Sequence, residues 1–122
     1  MEILIIDDDP NIIKTLLKRL GRWGYHALSA ENTSDALKTL SSQSVDLILL
    51  DVYLEDTTAI ELIPKIKSIK PTVDIITMTG QSTRQLEQKI RSFGILYYME
   101  KPIETANLKL ILEHIDNRLN KP

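Results

Sequence analysis

Asp7 and Asp8, Asp51, Thr79 and Lys101 each lie just past a short apolar run. The runs are Ile3-Leu4-Ile5-Ile6, Leu47-Ile48-Leu49-Leu50, Val73 to Met78, and Leu96 to Met99. Such runs read as buried parallel strands. An open parallel sheet binds ligands where its strands end at their carboxyl side. Three carboxylates, a hydroxyl and an ammonium, distant in sequence, are therefore expected in one small pocket. That set suits a divalent cation and a phosphoryl group.

Carboxylates crowded together repel one another and hold protons more tightly. A divalent cation relieves this, and Mg²⁺ takes hard oxygen ligands while keeping several waters. Adjacent Asp7 and Asp8 can place one side chain on the metal and the other on a metal-bound water. Acids at strand ends also cap helices or face solvent; Asp9 is assigned that lesser role, and Asp7, Asp8 and Asp51 the metal. Asp51 follows the most apolar strand and can act as a nucleophile, forming an aspartyl phosphate. Such a transfer needs little beyond alignment and charge neutralisation. Lys101 supplies a point charge for the incoming oxygens, and Thr79 a hydroxyl hydrogen bond. Singly, a lysine or threonine after a strand is usually a solvated surface residue; their shared position gives them weight. The Lys101-Pro102 bond can be cis at modest cost, although trans is the commoner state. A cis bond would turn the ammonium back into the pocket.

The elements that must position these groups alternate strand and helix five times, which predicts a parallel sheet with helices on both faces. Strands are expected at Glu2 to Ile6, Tyr25 to Ser29, Val45 to Leu50, Val73 to Met78 and Ile95 to Met99. The first helix opens at Pro10 with Asp9 as its cap, buries Ile12, Ile13, Leu16, Leu17 and Leu20, and ends at Gly21 or Gly24. The second is capped by Thr33 or Ser34 and buries Ala36, Leu37 and Leu40. The third turns Ile60, Ile63 and Ile66 inward, and Pro64 predicts that it is short or kinked. The fourth carries Leu86, Ile90 and Phe93 and closes at Gly94. The last, capped by Thr105 or Glu104, has the apolar stripe Leu108, Ile111, Leu112, Ile115 and Leu119. Five βα units of this kind fit an α/β, doubly wound, flavodoxin-like sheet with strand order 2-1-3-4-5, an order taken by analogy.

A chain of 122 residues suits one domain with a sizeable core. Its 15 basic and 17 acidic residues leave a net charge of -2, which gives no support to a nucleic-acid or anionic-membrane surface. Without cysteine there are no disulfides or thiolate metal sites. His26 and His114 form no metal-spacing motif and read as surface residues. The apolar runs are too short to cross a bilayer, and Met1-Glu2 leads straight into the first strand with no signal segment. A cytoplasmic location is expected.

Taken together, Leu4 to Pro10, Asp46 to Asp51, Ile75 to Gly80 and Tyr98 to Pro102 resemble a response-regulator receiver domain of two-component signalling, over essentially the whole chain. The resemblance implies a phosphorelay switch rather than an enzyme with a separate substrate. It makes Asp51 the phosphoacceptor, supplied by a phosphohistidine on a sensor histidine kinase or a histidine phosphotransfer protein. It gives Mg²⁺ the ligands Asp7, Asp8, Asp51 and the main-chain carbonyl of Tyr53. It places Thr79 and Lys101 on the phosphoryl group, makes Tyr98 the switch aromatic, and favours a cis bond before Pro102. The switched surface would be that of the fourth helix, fifth strand and fifth helix, read by an output domain or target protein. Any phosphorylation-dependent homodimer would draw on flanks of the last helix such as Lys109, Glu113, Asp116 and Arg118. Residues 1–122 form the receiver, with 117–122 as the start of a linker.

The chain departs from the family pattern after Asp51, where a proline and a glycine-containing turn are common. Here Glu55 stands in the proline position and Ala59 in the glycine position, so the loop is more acidic. Bulky Tyr53, with Gln81, is expected to border the path of an attacking water. Three competing readings are weaker. A flavodoxin-like cofactor binder needs a phosphate-cradling loop where Asp7-Asp8-Asp9 stand. A magnesium phosphohydrolase puts its nucleophile after the first strand and carries a cap, for which there is no room. A degenerate receiver acting as a phosphorylation-independent binding module, with all five site positions intact, rests only on the atypical loop after Asp51.

Overall fold

The computed structural model describes residues 1–120. The strands are β1 (Glu2–Ile6), β2 (His26–Ala30), β3 (Leu47–Asp51), β4 (Asp74–Thr79) and β5 (Tyr97–Glu100). The helices between and after them are α1 (Pro10–Arg22), α2 (Thr33–Ser42), α3 (Ala59–Ile69), α4 (Arg84–Arg91) and α5 (Thr105–Leu119). All strand pairs are parallel, in the order β2-β1-β3-β4-β5. The expected doubly wound α/β sheet is the observed one.

Every residue of β3 is buried, as a strand covered on both faces requires. Alternate side chains build two cores. Leu4, Ile6, Ile48 and Leu50 pack with Ala36 and Leu40 of α2, Leu62, Ile63 and Ile66 of α3, and Ile90 of α4. Ile3, Ile5, Leu47, Leu49, Ile76 and Met78 pack with Ile13, Leu16 and Leu20 of α1 and Leu108, Leu112 and Ile115 of α5.

Several boundaries move from the sequence expectation. β2, β3, β4 and β5 run one residue further toward their carboxyl ends, so Asp51 and Thr79 are last members of strands rather than residues beyond them. The ladder explains this: Asp51 pairs in register with Met78, and the Lys101 amide donates to the Thr79 carbonyl at 2.8 Å. A polar side chain does not end a strand whose backbone still finds partners. The cap of α2 is Asn32, whose side chain accepts from the Asp35 amide; it, rather than Thr33 or Ser34, has the extended backbone that a cap needs. Helix α1 passes through Gly21, and the chain turns at Gly24, where φ is +89°, a value glycine adopts without a Cβ clash. Leu119 is exposed rather than part of the α5 stripe. Residues 117–119, expected to begin a linker, are helical; Lys121 and Pro122 lie outside the described residues.

Helix α3 spans 11 residues with Pro64 inside it, so the proline does not shorten it. A proline there removes one intrahelical hydrogen bond and crowds the carbonyl four residues back. Its side chain is exposed, so packing does not compensate. Pro64→Ala is therefore expected to stabilise the domain by about 1–3 kcal/mol, read as a higher urea midpoint with unchanged slope.

Candidate functional site

Asp7 follows β1, Asp51 ends β3, Thr79 ends β4, and Lys101 follows β5, so one edge of the sheet collects them. Carboxylate oxygens of Asp7, Asp8 and Asp51 lie within 4.8 Å of one another. Asp7 is fully buried, Asp51 is 7% exposed, and Asp8 is half-buried. Each carboxylate is held in its own way. Asp7 accepts from the Asp9 amide at 2.9 Å through Oδ1 and from Lys101 Nζ at 3.1 Å through Oδ2. Asp51 has Lys101 Nζ 3.4 Å away. Asp8 accepts from the Glu55 amide at 2.8 Å. Asp9 caps α1, accepting from the Asn11 amide, which is the structural role expected of it.

The electrostatics follow from this crowding. Burial first, and the neighbouring Asp7 charge second, push the Asp51 carboxyl up to about 6 from its ordinary 3.8, while Lys101 and the Tyr53 amide pull it down. Burial works against the Lys101 charge, but Asp51 and Asp7 outweigh it and hold the ammonium above its usual value. The lysine sits nearer to Asp7 than to Asp51, and burial is the main reason the Asp51 carboxyl stays above its ordinary value. Asp7 and Asp51 thus share one ammonium, and Asp8 has no cation beside it among the described residues. Hard oxygen donors in a partly buried, under-neutralised cluster fit a divalent cation of the Mg²⁺ type.

Other expected residues are close by but engaged differently. Thr79 is 1% exposed, and its hydroxyl oxygen accepts from the Gln81 amide at 3.1 Å, which leaves its own hydrogen free to donate. The Lys101-Pro102 peptide is cis. Tyr53 lies at the surface, 45% exposed, bridged to Thr58 across the β3–α3 loop. The Tyr98 hydroxyl is 2.7 Å from Ser82 Oγ, and the Arg91 guanidinium lies 5.7 Å from its ring centre. Tyr97 packs on the opposite core. Sequence reasoning missed two of these contacts. The Glu55 amide is invisible because nearly every residue carries one, and Ser82 is one small polar residue in a polar loop.

The chain matches the model of the response regulator receiver domain over residues 3–113. It belongs to that family. The receiver domain is 32% identical over 120 residues to the DNA-binding transcriptional regulator NtrC of Azospirillum brasilense, covering 98% of this chain and 25% of the relative. It is 31% identical over 113 residues to the transcriptional regulatory protein ZraR of Escherichia coli K12, covering 93% of this chain and 26% of that relative. The receiver domain thus spans about a quarter of the length of these curated relatives. Among solved structures it resembles a two-component response regulator from Clostridium difficile, with a TM-score of 0.94, 29% identity and 99% of each chain covered. It also resembles a CheY-like receiver domain protein from Methanospirillum hungatei JF-1, with a TM-score of 0.89, 26% identity, and 99% of this chain and 98% of the other covered. It is a signalling domain rather than an enzyme of the usual kind. No helix among the described residues is long and apolar enough to cross a membrane.

Proposed function

We propose that this receiver domain, residues 1–122, takes a phosphoryl group onto Asp51 from a phosphohistidine of a sensor histidine kinase or histidine phosphotransfer protein in the cytoplasm. The observation that carries the reading is the Asp7, Asp8 and Asp51 cluster with Lys101 against two of its members. Asp7, Asp8, Asp51 and the Tyr53 carbonyl would hold Mg²⁺, which when bound neutralises charge on the carboxylates and the phosphoryl oxygens. An Asp51 oxygen attacks phosphorus as the bond to the donor nitrogen breaks and its electron pair leaves with the donor. Lys101 has spare N–H groups for a phosphoryl oxygen, and Thr79 has its free hydroxyl hydrogen.

Thr79 and Tyr98 together form the two-state element. Movement of Thr79 toward the new anion would open space beside the Tyr98 ring and alter the surface of α4, β5 and α5. An output domain, a target protein or a second copy would read that surface.

Wild-type chain incubated with Mg²⁺ and acetyl phosphate should gain about 80 Da by intact mass, and should gain nothing in EDTA. No gain with Mg²⁺ present would leave the phosphorylation-independent binding module as the better reading.

Tyr53 stands exposed two residues beyond the phosphoacceptor, where its ring can exclude water from the acyl phosphate. Tyr53→Ala is expected to shorten the phosphoryl lifetime several-fold, followed by intact mass after the donor is removed. An unchanged lifetime would remove Tyr53 from this role.

A further inference from the structure

The three acids differ in what holds them. Lys101 sits against Asp7 and Asp51, whereas Asp8 has, among the described residues, no cation and one hydrogen bond, from the Glu55 amide at 2.8 Å. We propose that the β3–α3 loop positions Asp8 for the cation through the Glu55 main-chain N–H, with Asp56 anchoring the loop to the start of α2. This rests on the metal reading given above and adds the residues that aim one ligand.

The loop is built to present that N–H. The Leu54 amide donates to the Thr57 carbonyl at 3.0 Å, and the Ala59 amide to the Val52 carbonyl at 2.8 Å. Tyr53 and Thr58 bridge its base. At its tip, Asp56 Oδ2 accepts from the Thr33 amide at 3.2 Å, on the first turn of α2. Glu55 is thus fixed from both sides, and its amide engages Asp8 Oδ2. Oδ1 stays open for a cation or a metal-bound water. A ligand already oriented by a hydrogen bond loses less freedom on binding, and such partners typically change metal affinity 10–100-fold. The contact is also particular to this chain: proline, which the family resemblance leads one to expect at this position, has no N–H to give.

Mn²⁺ titration followed by electron paramagnetic resonance tests the proposal without any phosphoryl donor. Glu55→Pro, which deletes the N–H, is expected to bind Mn²⁺ about tenfold more weakly than wild type. Glu55→Ala, which keeps it, should bind at least threefold more tightly than Glu55→Pro, with both variants checked for folding by urea melts. Asp56→Ala loosens the anchor and should weaken Mn²⁺ about threefold, within the range for outer partners of a ligand, while Asn32 still caps α2. Should Glu55→Pro fail to fold, the Glu55 amide proton resonance gives a second reading: it should move upfield in Asp8→Ala. An unmoved resonance, wild-type affinity in Glu55→Pro, or equal weakening in Glu55→Ala and Glu55→Pro would overturn the proposal. Wild-type chain that takes up no Mn²⁺ would instead overturn the metal reading itself, and this positioning role with it.

Discussion

Asp51→Asn is expected to abolish phosphoryl uptake and, in the absence of divalent cations, to make the domain more stable. The amide cannot form the acyl phosphate, so the gain of about 80 Da seen with wild type should vanish. The stability gain comes from burial. The folded Asp51 carboxyl sits at about 6 against an ordinary 3.8, so the folded state binds its proton more tightly than the unfolded state does. Between about pH 4 and 6 the native chain carries more of that proton, and stability falls as pH rises. Above that window the ionised, buried group costs on the order of 2–3 kcal/mol. Some of this is offset in the variant by its weaker contact with Lys101. Urea melts in EDTA at pH 7.5 should show Asp51→Asn more stable by about 1–2 kcal/mol, with the difference shrinking toward pH 4. A variant less stable than wild type at pH 7.5, or a difference that grows on acidification, would contradict this.

Lys101→Met should act in the opposite direction on stability. It removes the ammonium 3.1 Å from Asp7 and 3.4 Å from Asp51. Asp7 has no exposed surface, so its charge then depends on the Asp9 amide. Breaking a buried pair by deleting one partner typically costs 3–5 kcal/mol. The lysine side chain retains 21% exposure, which places the expected loss near the lower end, at about 3 kcal/mol. The loss should be measured in EDTA at pH 7.5 and should diminish in acid as Asp51 takes up its proton. Added Mg²⁺ should restore part of it through binding to the native state. Phosphoryl uptake from acetyl phosphate should slow by about a hundredfold, as for the loss of one placed donor in a transfer site. Wild-type stability in EDTA, or wild-type uptake, would remove Lys101 from the centre of the site.

The architecture was legible because a parallel sheet buried on both faces writes itself as apolar runs, and β3 is the extreme case. Asp7, Asp8, Asp51 and Lys101 were legible as a group because sheet topology alone brings the ends of β1, β3 and β5 together. The carboxyl ends of β2 to β5 lie one residue beyond the sequence expectation because the ladder depends on backbone groups, which side-chain polarity does not report. Pro64 does not shorten α3, because Leu62, Ile63 and Ile66 bury a face that carries the helix past it. Asn32, not the hydroxyls of Thr33 and Ser34 beside it, caps α2, because only its backbone is extended there. Least legible were the contacts that aim the site's groups, Glu55 to Asp8 and Ser82 to Tyr98. They depend on where two loops lie in space, and neither leaves a periodic or compositional mark.

The chemistry at Asp51 is open to direct capture. Borohydride reduces an aspartyl phosphate to homoserine, which marks the acceptor permanently for peptide sequencing by mass spectrometry. After treatment with acetyl phosphate and Mg²⁺, homoserine should appear at position 51 alone, and EDTA should suppress it. Homoserine at another acid, none at position 51, or an equal yield in EDTA would contradict a magnesium-assisted phosphoacceptor at the end of β3.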